Sequence, residues 1–246
     1  MPLSTIHLKE LRAFSDLLAH TGQHLPLDFI TGMFDFHKKN SKDGEGHYQL
    51  VKAVKTVNKL IDPAIISDQD IALTYAILFL SNTGQVFSDE VPYEVSAGMT
   101  FVLLRKFIPG FFTGADARFI SSNCRPIYPQ SLKLSVRVKI QLLVHSARVL
   151  TDVVHGGIEK IVRDYVQADK ESLRYLDNEG PAIGEWSESL AVKFEKHYGT
   201  NGSIWDTLPR SVTEVYYENI QIIKIAAANK ETILNLIHRY TKQIFA

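Results

Sequence analysis

Four stretches of this chain hold residue types that could bind a cation or a phosphate group. His47 opens an apolar-periodic segment in which Leu50, Val51 and Val54 follow, a spacing that puts the imidazole on the buried face of a helix. Ser81-Asn82 closes the apolar run Ala76 to Leu80, just before Thr83-Gly84. Asp89, Glu90 and Glu94 gather where the next helical pattern begins, and His145 lies in Val144-His145-Ser146-Ala147-Arg148. Two imidazoles and a carboxylate can hold a divalent cation, which lowers the pKa of its bound water. Two carboxylates in one cavity, Glu90 and Glu94 here, can serve as general acid and base if burial separates their pKa values. Arg118, Arg125 and Arg148 carry guanidinium forks that suit phosphate if they converge.

Each has a plainer reading. A histidine on an apolar face is more often a hydrogen-bonded core residue than a ligand. Carboxylates at a helix start are favoured by the exposed amides, with Asp89 as the cap. Arginines at such places are mostly surface ion pairs. Cys124 beside Arg125 reads as a buried cysteine rather than a nucleophile. His155-Gly156-Gly157 reads as a helix-ending turn with glycine at positive φ, although the amides of the helix behind it could receive an anion. The C-terminal aromatics Trp186, Phe194, Tyr198, Trp205, Tyr216, Tyr217 and Tyr240 read as core, with Trp205 and Tyr216-Tyr217 as the candidates for a partner surface.

The elements that must position these groups are helices. Apolar spacing of three and four marks Leu8, Leu11, Phe14 and Leu18, and again Ile233, Leu236, Ile237, Tyr240 and Ile244. Ser4 and Gly22 bound the first of these helices, and Ser67 with Asp70 makes a capping pattern before the run Ile71 to Leu80. Further helices are expected near residues 27–37, 47–61, 90–107, 114–123, 157–168, 185–198 and 211–228. Residues 131–140 alternate polar and apolar as a strand would, yet Leu132, Val136, Ile140, Leu143, Ala147, Leu150 and Val154 form a longer helical stripe, which favours helix. Loops are expected at 38–46, 177–184 and 199–202. The fold expected is all-α, one globular helical domain.

Lys plus Arg equals Asp plus Glu at 27 each, so the basic footprint of a protein that tracks extended nucleic acid or an anionic membrane is missing. The apolar run around residues 71–80 is too short to span a bilayer, and the N-terminus carries charges inside its apolar pattern, unlike a signal segment or anchor. A single cysteine permits no internal disulfide and no cysteine-based zinc cluster. The location expected is cytoplasmic, and an effector delivered into a host cytosol would share these features. No phosphate loop, dinucleotide fingerprint or nucleophile elbow occurs.

Taken together, His47, the apolar helix ending at Ser81-Asn82-Thr83-Gly84 and the helix around His145 resemble the HD superfamily of helical metal-dependent phosphohydrolases over residues 47–155. Residues 1–46 would then be N-terminal helices, and 156–246 a C-terminal helical extension. In working members of that family a His-Asp pair stands where this chain has Ser81-Asn82, and an aspartate where it has His145. A hydroxyl and a neutral amide are poor ligands for a divalent metal, so the resemblance implies a degenerate member without a metal at the inherited place. Its expected role is a non-catalytic binding module for a nucleotide-like or phosphate-bearing ligand, held by Ser81, Asn82, Arg118 and Arg148, or for a protein partner. The alternatives are a rearranged phosphohydrolase or phosphodiesterase, with metal on His47, His145 and Asp89 and catalysis by Glu90 and Glu94, and an unrelated helical interaction protein.

Overall fold

Every side chain from Ile71 to Leu80 is buried, so the helix Asp68–Leu80 runs through the interior instead of along a surface. A helix apolar on all sides needs neighbours on all sides, and the chain supplies them. The computed structural model describes residues 5–41, 46–62, 64–81, 83–86, 92–124, 137–173 and 181–245. Among the described residues it is built of helices and turns, with no strand.

These helices gather into two compact units, residues 1–148 and 149–246. The first holds α1 (Thr5–Thr21), α2 (Leu27–Asn40), α3 (Gly46–Leu60), α4 (Asp68–Leu80), α5 (Pro92–Phe107), α6 (Gly114–Asn123) and α7 (Val138–Val149), which reaches the boundary. Around α4 lie α3, α5 and α6, while α1 and α2 close on α3. Its start is fixed as the sequence suggests: Ser67 Oγ accepts from the Asp70 amide at 3.2 Å. Thr113 and Asp116 form a reciprocal capping box at the head of α6.

In the second unit, a π-helical turn (Leu150–Val154) leads through His155 and Gly156 into α8 (Gly157–Ala168), and Gly157 takes φ +73°, as its place in the turn demands. The short α9 (Lys170–Leu173) follows, then α10 (Pro181–Tyr198), α11 (Arg210–Val215), α12 (Tyr217–Ala228) and α13 (Lys230–Phe245). α13 packs on α8, α10 and α12 through Ile233, Leu236, Ile237 and Tyr240, the stripe read from the sequence.

Several boundaries differ from expectation. α2 continues through Asn40, so the polar stretch begins as helix. α10 starts at Pro181, four residues before the expected 185. The helix expected over 211–228 breaks at Tyr216, which leaves helical geometry (φ −109°, ψ 21°) while its ring is buried and meets His155 edge-on at 6.0 Å. On α1 the buried line is Ala13, Leu17 and Thr21, whereas Leu8 and Leu11 are 53% and 56% exposed. The first two turns of α1 thus carry apolar residues away from the core. Ser4, residues 42–45 and 177–180 of the two expected loops, and residues 131–136 lie outside the described residues, while residues 181–184 are the first turn of α10 instead of loop and Val138 onward is helical.

The contrast on α1 gives a direct check. Leu17→Ala should cost about 2–5 kcal/mol, the range for a buried leucine, and Leu8→Ala no more than about 0.5 kcal/mol, as for a surface change. Urea denaturation of both variants measures the difference; equal losses would mean that the buried face of α1 is misassigned.

Candidate functional site

A buried helix end leaves its last carbonyl groups without intrahelical donors, and the C-terminus of α4 lies in the core of the first unit. His37, in the last turn of α2, donates from Nε2 to the Phe79 carbonyl at 2.7 Å. The Ser81 hydroxyl donates to the Ile77 carbonyl, and Thr83 Oγ1 donates to the Leu80 carbonyl at 2.9 Å. Arg148 then reaches from α7, its Nη2 donating both to Ser81 Oγ and, at 2.8 Å, to the Asn123 carbonyl at the end of α6. One guanidinium therefore joins the carboxyl ends of two helices, where the macrodipoles favour a positive charge.

Cys124 follows Asn123 and is fully buried. Its Sγ lies 3.4 Å from Thr100 Oγ1, and burial pushes its thiol pKa up despite Thr100 and Arg148. A thiol held protonated is a poor nucleophile. Asp116, 3% exposed, accepts from Arg137 at 2.7 Å and from the Thr113 hydroxyl at 2.7 Å. Burial alone would raise its carboxyl, yet the hydrogen bonds from Thr113 and Arg137 hold it below the usual range.

His47 is buried as its spacing predicts. Its ring stands edge-on to Phe34 at 5.1 Å and lies against Tyr48 at 3.9 Å. Its neighbour His37 is depressed below the ordinary histidine value, first by burial and then by the charge of His47, against the Phe79 hydrogen bond that raises it. His145 is half-buried and depressed by burial and by Arg148.

The other sequence candidates are dispersed. Glu94 is exposed in the first turn of α5, and Arg118 is exposed on α6. Asn82, Asp89, Glu90 and Arg125 lie outside the described residues. Among the described residues no group of three or more His, Cys, Asp or Glu could hold a metal ion, so His47 and His145 are not joined by Glu94 into a ligand set. Of the described residues singled out for ligand binding, Ser81, Arg118 and Arg148, only Ser81 and Arg148 meet.

His37 and Asn123 have no counterpart in the sequence reading. For His37 a signal existed: Ile30, Met33 and Phe34 precede it at seven, four and three residues, the argument that placed His47 in the core. For Asn123 there was none, because the acceptor is a backbone carbonyl.

Among the described residues, two cavities lie elsewhere. One, of about 350 Å3, is lined in the first unit by Gln23, His24, Asp68, Gln69, Phe111 and Phe112. The other, of about 310 Å3, is lined in the second unit by residues of α8 and α10 and by Ser203. No protein family, curated protein or solved structure matches the chain. Among the described residues no helix is long and apolar enough to cross a membrane.

The His37 geometry sets a pH dependence. With its folded pKa below the unfolded value of about 6.5, the unfolded chain takes up a proton that the folded chain refuses. Stability is therefore full above that value and is lost as pH falls through it toward the folded pKa. Urea unfolding between pH 7 and 5 should show a shallower decline for His37→Gln than for the parent protein, even though the variant starts less stable. Parallel declines would show that His37 contributes nothing to the acid limb.

Proposed function

We propose that the chain is a degenerate HD-like helical protein that binds a phosphate-bearing ligand without hydrolysing it. The observation that carries this reading is the bond from Arg148 to Ser81 Oγ. By the resemblance, Ser81 stands where the family has a metal-binding histidine, and Arg148 lies three residues beyond His145, which stands where the family has its last metal-binding aspartate. A guanidinium already on that hydroxyl supplies the positive charge that a metal would otherwise bring. It also opposes a second cation: two unit charges 4 Å apart repel by about 4 kcal/mol at an effective dielectric of 20, and a divalent ion would feel about twice that. Without a metal, the usual means of making hydroxide at neutral pH is gone. His47, in its aromatic surroundings, serves as core.

A cytoplasmic location goes with this reading, since the lone Cys124 is buried as a thiol. A protein partner is the second reading, favoured by the exposure of Tyr217, Ile222 and Ile225 on α12 at 61%, 64% and 68%.

Elemental analysis of the purified untagged protein should find no stoichiometric divalent metal, and bis(4-nitrophenyl) phosphate with added Mn2+ or Mg2+ should give no turnover above background. Near-stoichiometric metal that disappears in His47→Ala, together with metal-dependent turnover, would overturn the reading in favour of a rearranged phosphodiesterase.

A further inference from the structure

The cavity of the second unit is built by one helix end and the turn behind it. α10 brings Lys193, Lys196 and His197 to one face at spacings of three and four, with Phe194 and Tyr198 beside them. Tyr165 of α8 meets Phe194 edge-on at 5.1 Å, and Phe194 lies 5.6 Å from Tyr198, which gives the cavity an aromatic wall. Behind α10 the chain turns back on itself. The amides of Ser203 and Ile204 donate to the carbonyls of Lys196 and His197 at 3.2 Å, and Trp205 Nε1 donates to those of Tyr198 and Gly199 at 3.0 Å. Gly202 permits this turn, since a Cβ there would meet the His197 carbonyl at 2.5 Å. The carbonyls at the negative end of the α10 dipole are thereby covered by donors, while the Asp152 carboxylate, whose charge helps push the Tyr198 hydroxyl up, is the local negative charge that the two lysines must outweigh.

His197 Nδ1 lies 2.8 Å from Ser203 Oγ, so the hydroxyl is fixed at the cavity. Neither Lys193 nor Lys196 has an ion-pair partner among the described residues, whereas Lys160 and Lys230 of the same unit are paired with Asp164 and Glu188. Both lysines line the cavity with the aromatic wall, and Ser203 adds a neutral hydrogen-bonding group. A volume of about 310 Å3 stands at the small end of ligand cavities, too small for a folded partner and suited to a single ring with one charged group.

We infer that this cavity binds a small phosphate ester with a flat aromatic part, the ring against the exposed Tyr165, which Phe194 backs from the core, and the phosphate between Lys193 and Lys196. The assignment rests on the reading of the chain as a phosphate-ligand binder and gives that ligand a place outside the HD-like region. Two lysines within one turn match a dianion better than a carboxylate, and the aromatic wall separates an aryl or nucleoside phosphate from inorganic phosphate.

Calorimetric titration of the full chain with 4-nitrophenyl phosphate tests it. Saturable one-to-one binding is expected, at least tenfold weaker in K193Q/K196Q and unchanged in K242Q, each variant keeping its helical circular dichroism. Inorganic phosphate and 4-nitrobenzyl alcohol should each bind at least tenfold more weakly than the ester. Equal affinity in K193Q/K196Q and the parent would overturn the assignment, as would absence of saturable binding in the parent. Metal-dependent release of 4-nitrophenolate in the same titration would instead overturn the non-catalytic reading and leave the cavity assignment standing, so the two failures are distinguishable.

Discussion

The first unit depends on how one fully buried helix ends. Burying α4 on all sides brings its apolar side chains out of water, but it also carries the last carbonyls of that helix into a region where unpaired acceptors are costly. The chain answers with side chains from three other places: His37 on the Phe79 carbonyl, Thr83 on that of Leu80, and Arg148 on Ser81. Removing His37 or Thr83 takes the donor from a core carbonyl, and removing Arg148 takes one donor each from the Ser81 hydroxyl and the Asn123 carbonyl, which binds α2, α4, α6 and α7 into one set of constraints.

That arrangement bears on chemistry as well as stability. Neutral hydroxyls, amides and carbonyls at converging helix ends attract positive charge, and a divalent metal is one way to provide it. Here a covalently attached cation provides it. An arginine cannot activate water as a metal does, but it keeps the helix ends together without any supply of ions. Arg148 thus braces the carboxyl ends of α4 and α6, and under the proposed reading its guanidinium stands where a metal would otherwise be.

Much of the fold was legible. Spacings of three and four located the helices because burial on one face follows the helical period, and the stripe of α13 was read residue by residue. The same rule overran the contact face of α1: Phe14 and Leu18 pack on the core, but periodicity does not show how far the neighbouring core extends, and Leu8 and Leu11 lie beyond it. The break at Tyr216 was hidden because a helix-compatible residue leaves helical geometry there to bury its ring against His155. At the candidate site, the burial of His47 was legible from three neighbours. The joining of Ser81, Asn123 and Arg148 was not, because two of its contacts end on hydroxyl or carbonyl oxygens far away in the chain.

The central claim is that Arg148 and Ser81 act as a pair. A double-mutant cycle by chemical denaturation, with Ser81→Ala, Arg148→Met and the double variant, measures it. The account predicts a coupling energy of about 1 kcal/mol or more, within the range for residues sharing one hydrogen-bond network, with the double variant less destabilised than the sum of the single ones. Additive losses, with coupling near zero, would show that the bond between them holds nothing together and would contradict the account.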